Sequence, residues 1–158
     1  MEPAGLLHED GIERADGQMA VVTALQGSAD VTLRDGALHL PDAFAVPFAG
    51  GLVVTVWVDG CIALWPRDAW ESLASRLTRL PISDSNARAF GRLLFSSAMS
   101  VGAGVRRLRL PDRHRAMAGI RSDAVLVGAG DHAELWSRER WAETSGRPLD
   151  EFLAGVPA

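Results

Sequence analysis

The sequence contains no lysine; all sixteen of its basic residues are arginine. This excludes Schiff-base catalysis and a phosphate-loop lysine, and a GC-rich genome is the simplest source of the bias. There is a single cysteine, Cys61, which excludes an intrachain disulfide and any multi-cysteine metal site. Lying in an apolar strand pattern, it reads as buried and inert. Long apolar runs are missing too. The most apolar stretch, Ala43 to Val58, is broken by Pro47, Gly50 and Gly51 and falls short of the ~20 residues a membrane helix needs. Met1-Glu2-Pro3-Ala4-Gly5 puts no basic segment ahead of an apolar one, so no secretory signal is expected. The expectation is a cytoplasmic protein with no membrane partner.

What is present is an ordinary globular composition: 158 residues, 47% hydrophobic and 23% charged. That suits one compact domain or two very small ones and rules out a collagen or a coiled coil. The net charge of −4 hides an uneven distribution. Residues 1–90 carry six arginines against twelve acids, whereas residues 91–158 carry ten against eight. The densest stretch, Arg106 to Arg115, holds five arginines and one acid. Local cations are what phosphate contacts require, whatever the overall charge. A solvated strand-and-turn surface would look the same on charge alone.

The chain also resembles itself. Leu38-His39-Leu40-Pro41-Asp42 matches Leu108-Arg109-Leu110-Pro111-Asp112, an offset of 70 residues. Leu64-Trp65-Pro66-Arg67-Asp68-Ala69-Trp70 matches Leu135-Trp136-Ser137-Arg138-Glu139-Arg140-Trp141, an offset of 71. Two copies are too few for a solenoid and fit a duplicated small module.

Each module reads as strands followed by a helix. Val31-Thr32-Leu33 and Leu38-His39-Leu40 alternate around Arg34-Asp35-Gly36, a hairpin pattern with Asp-Gly at its turn. Leu52 to Val58 is β-branched, Asp59-Gly60 turns, and Cys61 to Trp65 forms the returning strand. Pro66 then opens a helix whose apolar face is Trp70, Leu73, Leu77 and Leu80. In the second module Ser137 is the expected N-cap. Asp84 to Met99 reads as a linking helix with Phe90, Leu93 and Leu94 on its buried side. The pattern implies an α+β fold of small sheets closed by paired hairpins. The duplicated Trp65, Trp70, Trp136 and Trp141 stand where core packing needs them, ahead of a role in stacking on ligands.

Two motifs invite over-reading. Gly128-Ala129-Gly130-Asp131-His132-Ala133 scans as a dinucleotide fingerprint, but no helix opens from its glycines, so a hairpin turn is expected. Gly102-Ala103-Gly104 is likewise a turn. His8, His39, His114 and His132 lack metal-ligand spacing, and no serine or cysteine sits in a nucleophile context. No catalytic residues, metal, cofactor or small-molecule substrate are expected.

Three segments carry a family resemblance that runs from about Gly27 to Trp141. Ala89-Phe90-Gly91-Arg92-Leu93-Leu94-Phe95, Val125-Leu126-Val127-Gly128 with Ala133-Glu134-Leu135-Trp136, and Arg107-Leu108-Arg109-Leu110-Pro111 resemble MraZ, a bacterial regulator family built from two tandem SpoVT-AbrB-type modules. The resemblance implies duplicated swapped-hairpin β modules with short helices, related by a pseudo-twofold. The chain divides into a disordered extension at 1–19, modules at 20–82 and 100–143, a linking helix at 83–99 and a tail at 144–158. Residues 1–18 read as disordered, and with no likeness before Met19, that methionine is an alternative start. In the tail, Leu149, Phe152 and Leu153 either dock a neighbouring subunit or fray.

The resemblance further implies a repressor of the division and cell-wall gene cluster, bound to double-stranded promoter repeats. It implies a ring-shaped homo-oligomer, nucleoid-associated and without catalysis. The family's contact signature is Asp-x-x-x-Arg, once per module. Here Arg107 holds the arginine position but Ala103 replaces the aspartate; in the first module Leu33 and Ala37 replace both. The candidate DNA contacts are Arg106, Arg107, Arg109, Arg113 and Arg115, with Arg34 as a partial substitute in the first module. The alternative is a scaffold that keeps the assembly but binds a protein instead of DNA.

Overall fold

In the computed structural model, residues 12–13, 19–20 and 24–157 are described. The expected extension falls almost wholly outside them; the described part, β1 (Ile12–Glu13) and β2 (Met19–Ala20), pairs antiparallel. The chain continues through β3 (Ser28–Thr32), β4 (Ala37–His39), α1 (Asp42–Ala45), β5 (Leu52–Val56), β6 (Ile62–Pro66) and α2 (Arg67–Thr78). The linking helix α3 (Ser85–Ser97) leads to β7 (Met99–Val101), β8 (Arg107–Arg109) and α4 (Asp112–Ala118). The second half closes with β9 (Asp123–Gly128), β10 (Ala133–Ser137), α5 (Arg138–Ser145) and α6 (Leu149–Leu153). None of these helices is long and apolar enough to cross a membrane.

The strands form an antiparallel six-stranded sheet in the order β3-β9-β10-β6-β5-β7, plus a separate β4–β8 ribbon. This order explains the duplication. Each module builds its own central hairpin, β5–β6 or β9–β10, and lends an edge strand to the other: β3 borders β9 and β7 borders β5. A pseudo-twofold passes between β6 and β10 and between β4 and β8, where Leu38 faces its own repeat counterpart Leu108. The modules therefore share one core, lined by Leu38, Leu40, Leu108 and Leu110 from the ribbon and by Leu52, Val54, Ile62, Leu64, Leu126 and Leu135 from the sheet.

The expected β3–β4 hairpin is realised only at its tip. Asp35 and Gly36 both adopt positive φ (52° and 77°) and Arg34 and Ala37 exchange backbone hydrogen bonds, as the tight turn of an Asp-Gly pair requires. Beyond that pair the arms part, because β3 bonds to β9 and β4 to β8. Periodicity places side chains on a face but does not name the strand across the ladder. The Gly128–Ala133 motif is indeed the β9–β10 turn, closed by the Ala129 amide on the His132 carbonyl at 2.9 Å. A Cβ at Gly128 would lie 2.3 Å from the Gln26 backbone; the glycine admits a chain crossing, not a pyrophosphate.

The linking helix begins where its cap dictates. Asp84 accepts hydrogen bonds from the amides of Asn86 (2.9 Å) and Ala87 (3.1 Å), satisfying donors that the first turn leaves open. The helix stops at Ser97, so Met99 belongs to β7. Only a narrow stripe, Phe90, Leu94 and Ser97, faces the sheet; Leu93 is 48% exposed, contrary to the expected buried side. Similarly α2 ends at Thr78, leaving Leu80 outside its apolar face and exposed. Ser137 caps α5 by accepting from the Arg140 amide, as expected. Trp65 and Trp136 are buried, while Trp70 and Trp141 are half-buried against them or their neighbours. Cys61 is buried, and burial together with Glu134 and Asp59 pushes its thiol pKa far up, which keeps it unreactive.

On the sheet face away from the ribbon lies a buried polar group. The His132 ring stacks on Trp65 with centroids 4.3 Å apart and meets the edge of Trp57. Its Nδ1 is 2.7 Å from Asp131 and its Nε2 2.9 Å from Glu134. Trp136 donates its Nε1–H to the other Glu134 oxygen at 3.0 Å. Burial works against the charged ring, but the bonds to Glu134 and Asp131 outweigh it and raise the His132 pKa above 6.5. For Glu134 burial also opposes charge, yet the bonds from His132 and Trp136 prevail and lower its pKa below 4.5. The ring is held between carboxylates and indoles, which favour its charged form.

Candidate nucleic-acid interface

The β4–β8 ribbon has one apolar and one cationic face. Strand alternation turns Leu38 and Leu108 inward, each 1% exposed, and turns His39, Arg107 and Arg109 to solvent. The register places Arg107 opposite His39, and Arg109 opposite Ala37. Two of the four outer positions at the ribbon's centre are therefore arginines and a third is His39, while the fourth is a small, buried alanine. Arg107 and Arg109, two of the candidate contacts, share this outward face. His39 was missed as a member of this face, although its place between Leu38 and Leu40 signals it.

Arg34 joins this surface from the β3–β4 turn. Together with Arg107, His39, Thr32 and Asp35 it lines an open groove of about 460 Å³ beside the ribbon. The acids of this region are partly neutralised, since Asp30 pairs with Arg138 at 3.4 Å. Arg113 projects from the first turn of α4 and is exposed.

The remaining two candidates are engaged within the fold. Arg106 is paired with Asp42, so the two modules' Leu-x-Leu-Pro-Asp regions are tied across the pseudo-twofold. The Arg115 guanidinium turns inward, bonds Asp112, and covers Gly36 so closely that a Cβ there would meet it at 3.1 Å. With only 22% of its side chain exposed, Arg115 braces the first-module turn from the second module. Arg34, Arg107, Arg109 and Arg113 have no carboxylate partner among the described residues, and these four form the available cationic surface.

Below the ribbon, packing holds it in place. His114 on α4 donates Nε2–H to the Ser97 carbonyl at 2.7 Å, and Ser97 Oγ accepts the Val56 amide at 3.0 Å. These bonds clamp α4, the end of α3 and β5 together, so the arginine-bearing strand rises from a rigid base.

A two-stranded antiparallel ribbon with a cationic outer face is one of the few elements that fits the ~12 Å major groove of B-DNA. Comparison with known proteins identifies the family. A family model described as "MraZ protein, putative antitoxin-like" matches residues 31–93. A protein of Thermomicrobium roseum named "Transcriptional regulator MraZ" is 41% identical over 108 residues, covering 68% of this chain and 76% of that protein. The chain belongs to the MraZ family.

Proteins of the same name from Heliobacterium modesticaldum (35% identical; 74% of this chain, 82% of that protein) and Mycobacterium ulcerans (38%; 75% and 84%) are similar over most of their length. The MraZ resemblance found in the sequence is thus shown, and the α+β fold of mostly antiparallel sheets and short helices fits it. Against that family's signature, the altered positions separate by environment. Ala103 is exposed at the tip of the β7–β8 turn, where no packing requires alanine. Ala37 stands at an outer position of the ribbon but is buried at 3% and adds no charge there. The first module therefore places no arginine on the ribbon's outer face, where the second places two.

Proposed function

We propose that this protein is a sequence-specific DNA-binding transcriptional regulator, a repressor acting on promoter repeats upstream of its division and cell-wall gene cluster. It works in the cytoplasm, at the nucleoid, as a ring-shaped homo-oligomer without catalysis. The names of the MraZ relatives support regulation of transcription, and the outward Arg107–Arg109 pair on the ribbon carries the reading to DNA. Arg107 reads a base edge, bidentate to guanine, while Arg109, Arg113 and Arg34 neutralise flanking phosphates. One reading arginine per protomer is a weak contact. Several protomers on matched repeats restore affinity through effective concentration.

The test is fluorescence anisotropy of the full chain with the duplex immediately upstream of its own gene and a scrambled duplex alongside. Expected are a preference for the native duplex and a steep loss of affinity between about 50 and 200 mM salt, as phosphate neutralisation by several arginines produces. A well-assembled protein that binds neither duplex at low salt would overturn the reading and favour the scaffold that binds a protein partner.

A further inference from the structure

The C-terminal segment has an apolar face with nothing on it. Leu149, Phe152, Leu153 and Val156 fall at i, i+3, i+4 and i+7, the spacing of a helix built to be buried along one side. In the folded chain they are 70%, 39%, 55% and 61% exposed. The segment is nonetheless ordered locally. Pro148 precedes the first turn of α6, Arg147 pairs with Glu151 at 3.1 Å, and its guanidinium lies 4.4 Å from the Phe152 ring centroid. The stripe runs from α6 into the turn after it, where Val156 lies, and a locally organised apolar stripe in water is a surface awaiting a partner.

A groove of fitting character lies elsewhere on the same chain. Where α2 gives way to α3, Leu77, Leu80, Ile82 and Gly91 line a trough of about 370 Å³. Ile82 is 85% exposed and Leu80 45%. Gly91 keeps the α3 wall low, since a Cβ there would meet nothing nearer than 4.0 Å. The rim is cationic, with Arg88 and Arg92, whereas the first turn of α6 offers the carboxylate of Asp150, Glu151 being paired with Arg147. Apolar stripe meets apolar trough and acid meets arginine. The groove sits on helices packed against β5 and β6, while α6 follows α5, which packs against β9 and β10.

We infer that α6 of one copy docks into the α2–α3 groove of a second copy, with Leu149, Leu153 and Val156 on its floor and Asp150 against Arg92. This is a helix-in-groove contact and it is head-to-tail: each copy offers one tail and one groove. Contacts of that kind close into rings when the rotation between neighbours allows. The inference deepens the assembly part of the proposed function and is independent of which residues touch DNA.

The test measures mass in solution by light scattering for the full-length chain and two variants, Leu149→Asp on the tail and Ile82→Asp in the groove. Both positions are exposed, so the core is untouched. The wild type is expected to be a multimer and each variant a monomer. Mixing the two variants should give a one-to-one dimer and nothing larger, because the mixture retains one intact tail and one intact groove per pair. Variants that assemble like the wild type would overturn the docking while leaving homo-oligomerisation in place. Monomeric variants that fail to pair on mixing would overturn the head-to-tail contact. A monomeric wild type would overturn both docking and assembly, and its affinity for the upstream duplex would then report on the DNA reading alone.

Discussion

The two modules share one backbone plan and have diverged at their tips. In the first, a tight Asp35-Gly36 turn carries Arg34, and the strand after it presents Ala37 and His39. In the second, the Gly102–Gly104 turn leads into a strand presenting Arg107 and Arg109. The leucines beneath, Leu38 and Leu108, are equally buried. Where the pseudo-twofold passes through the core, the repeat stays symmetric, because each module completes the other's sheet. Where it passes through solvent, the halves have separated into a cationic arm and a nearly neutral one. Packing constrains both copies together, whereas surface charge can be altered in one copy alone.

The same contrast appears on the opposite sheet face. His132 and Glu134 of the second module correspond to Cys61 and Ala63 of the first, and Glu134 lies directly opposite Ala63 in the β10–β6 ladder. A small residue in one module makes room for the carboxylate of the other. The polar group thus depends on the asymmetry between the copies.

The core symmetry can be broken from either side. Leu38→Ala and Leu108→Ala should each cost about 2–5 kcal/mol, the range for truncating a buried leucine. The two losses should match closely in urea denaturation and fall in a single shared transition. Separate transitions for the halves would show that the modules fold apart.

A smaller effect follows from the polar group, which sharpens the contrast between β10 and β6. The raised His132 pKa contributes stability that is complete below 6.5 and fades as pH rises through the folded value. The lowered Glu134 pKa contributes stability that is complete above 4.5 and fades as pH falls through its folded value. Tm should therefore carry a contribution that is greatest between these limits. His132→Gln should remove the high-pH limb of that dependence, whereas Cys61→Ala in the corresponding first-module position should leave it. A pH profile unchanged in His132→Gln would dismiss the charged ring as a contributor.

Much of the fold was legible because the signals were local and duplicated. The Leu-x-Leu-Pro-Asp repeats marked the two strand ends, though not that these strands pair with each other, and Asp84 and Ser137 announced their helices. The exchange of β3 and β7 was not legible in the sequence, since strand pairing is a long-range choice that alternation leaves open. Within the candidate site, charge density brought forward five neighbouring arginines, but density does not reveal which are occupied. Arg115 is turned onto Gly36 and Arg106 onto Asp42, and both contacts reach across the modules. His39 was readable from its strand position and was passed over because it stands alone, not in a charged run.

The central claim is that the second module's arm makes the reading contact and the first module's arm only supports it. The most direct test compares Arg107→Ala with Arg34→Ala, measuring affinity for the upstream and scrambled duplexes across a salt series. Arg107→Ala should lose about 1–3 kcal/mol on the native duplex and abolish its preference over the scrambled one. Arg34→Ala should weaken both duplexes alike and lower the salt slope by about one. Equal, sequence-blind losses in the two variants would contradict the account, because the arms would then be doing the same work.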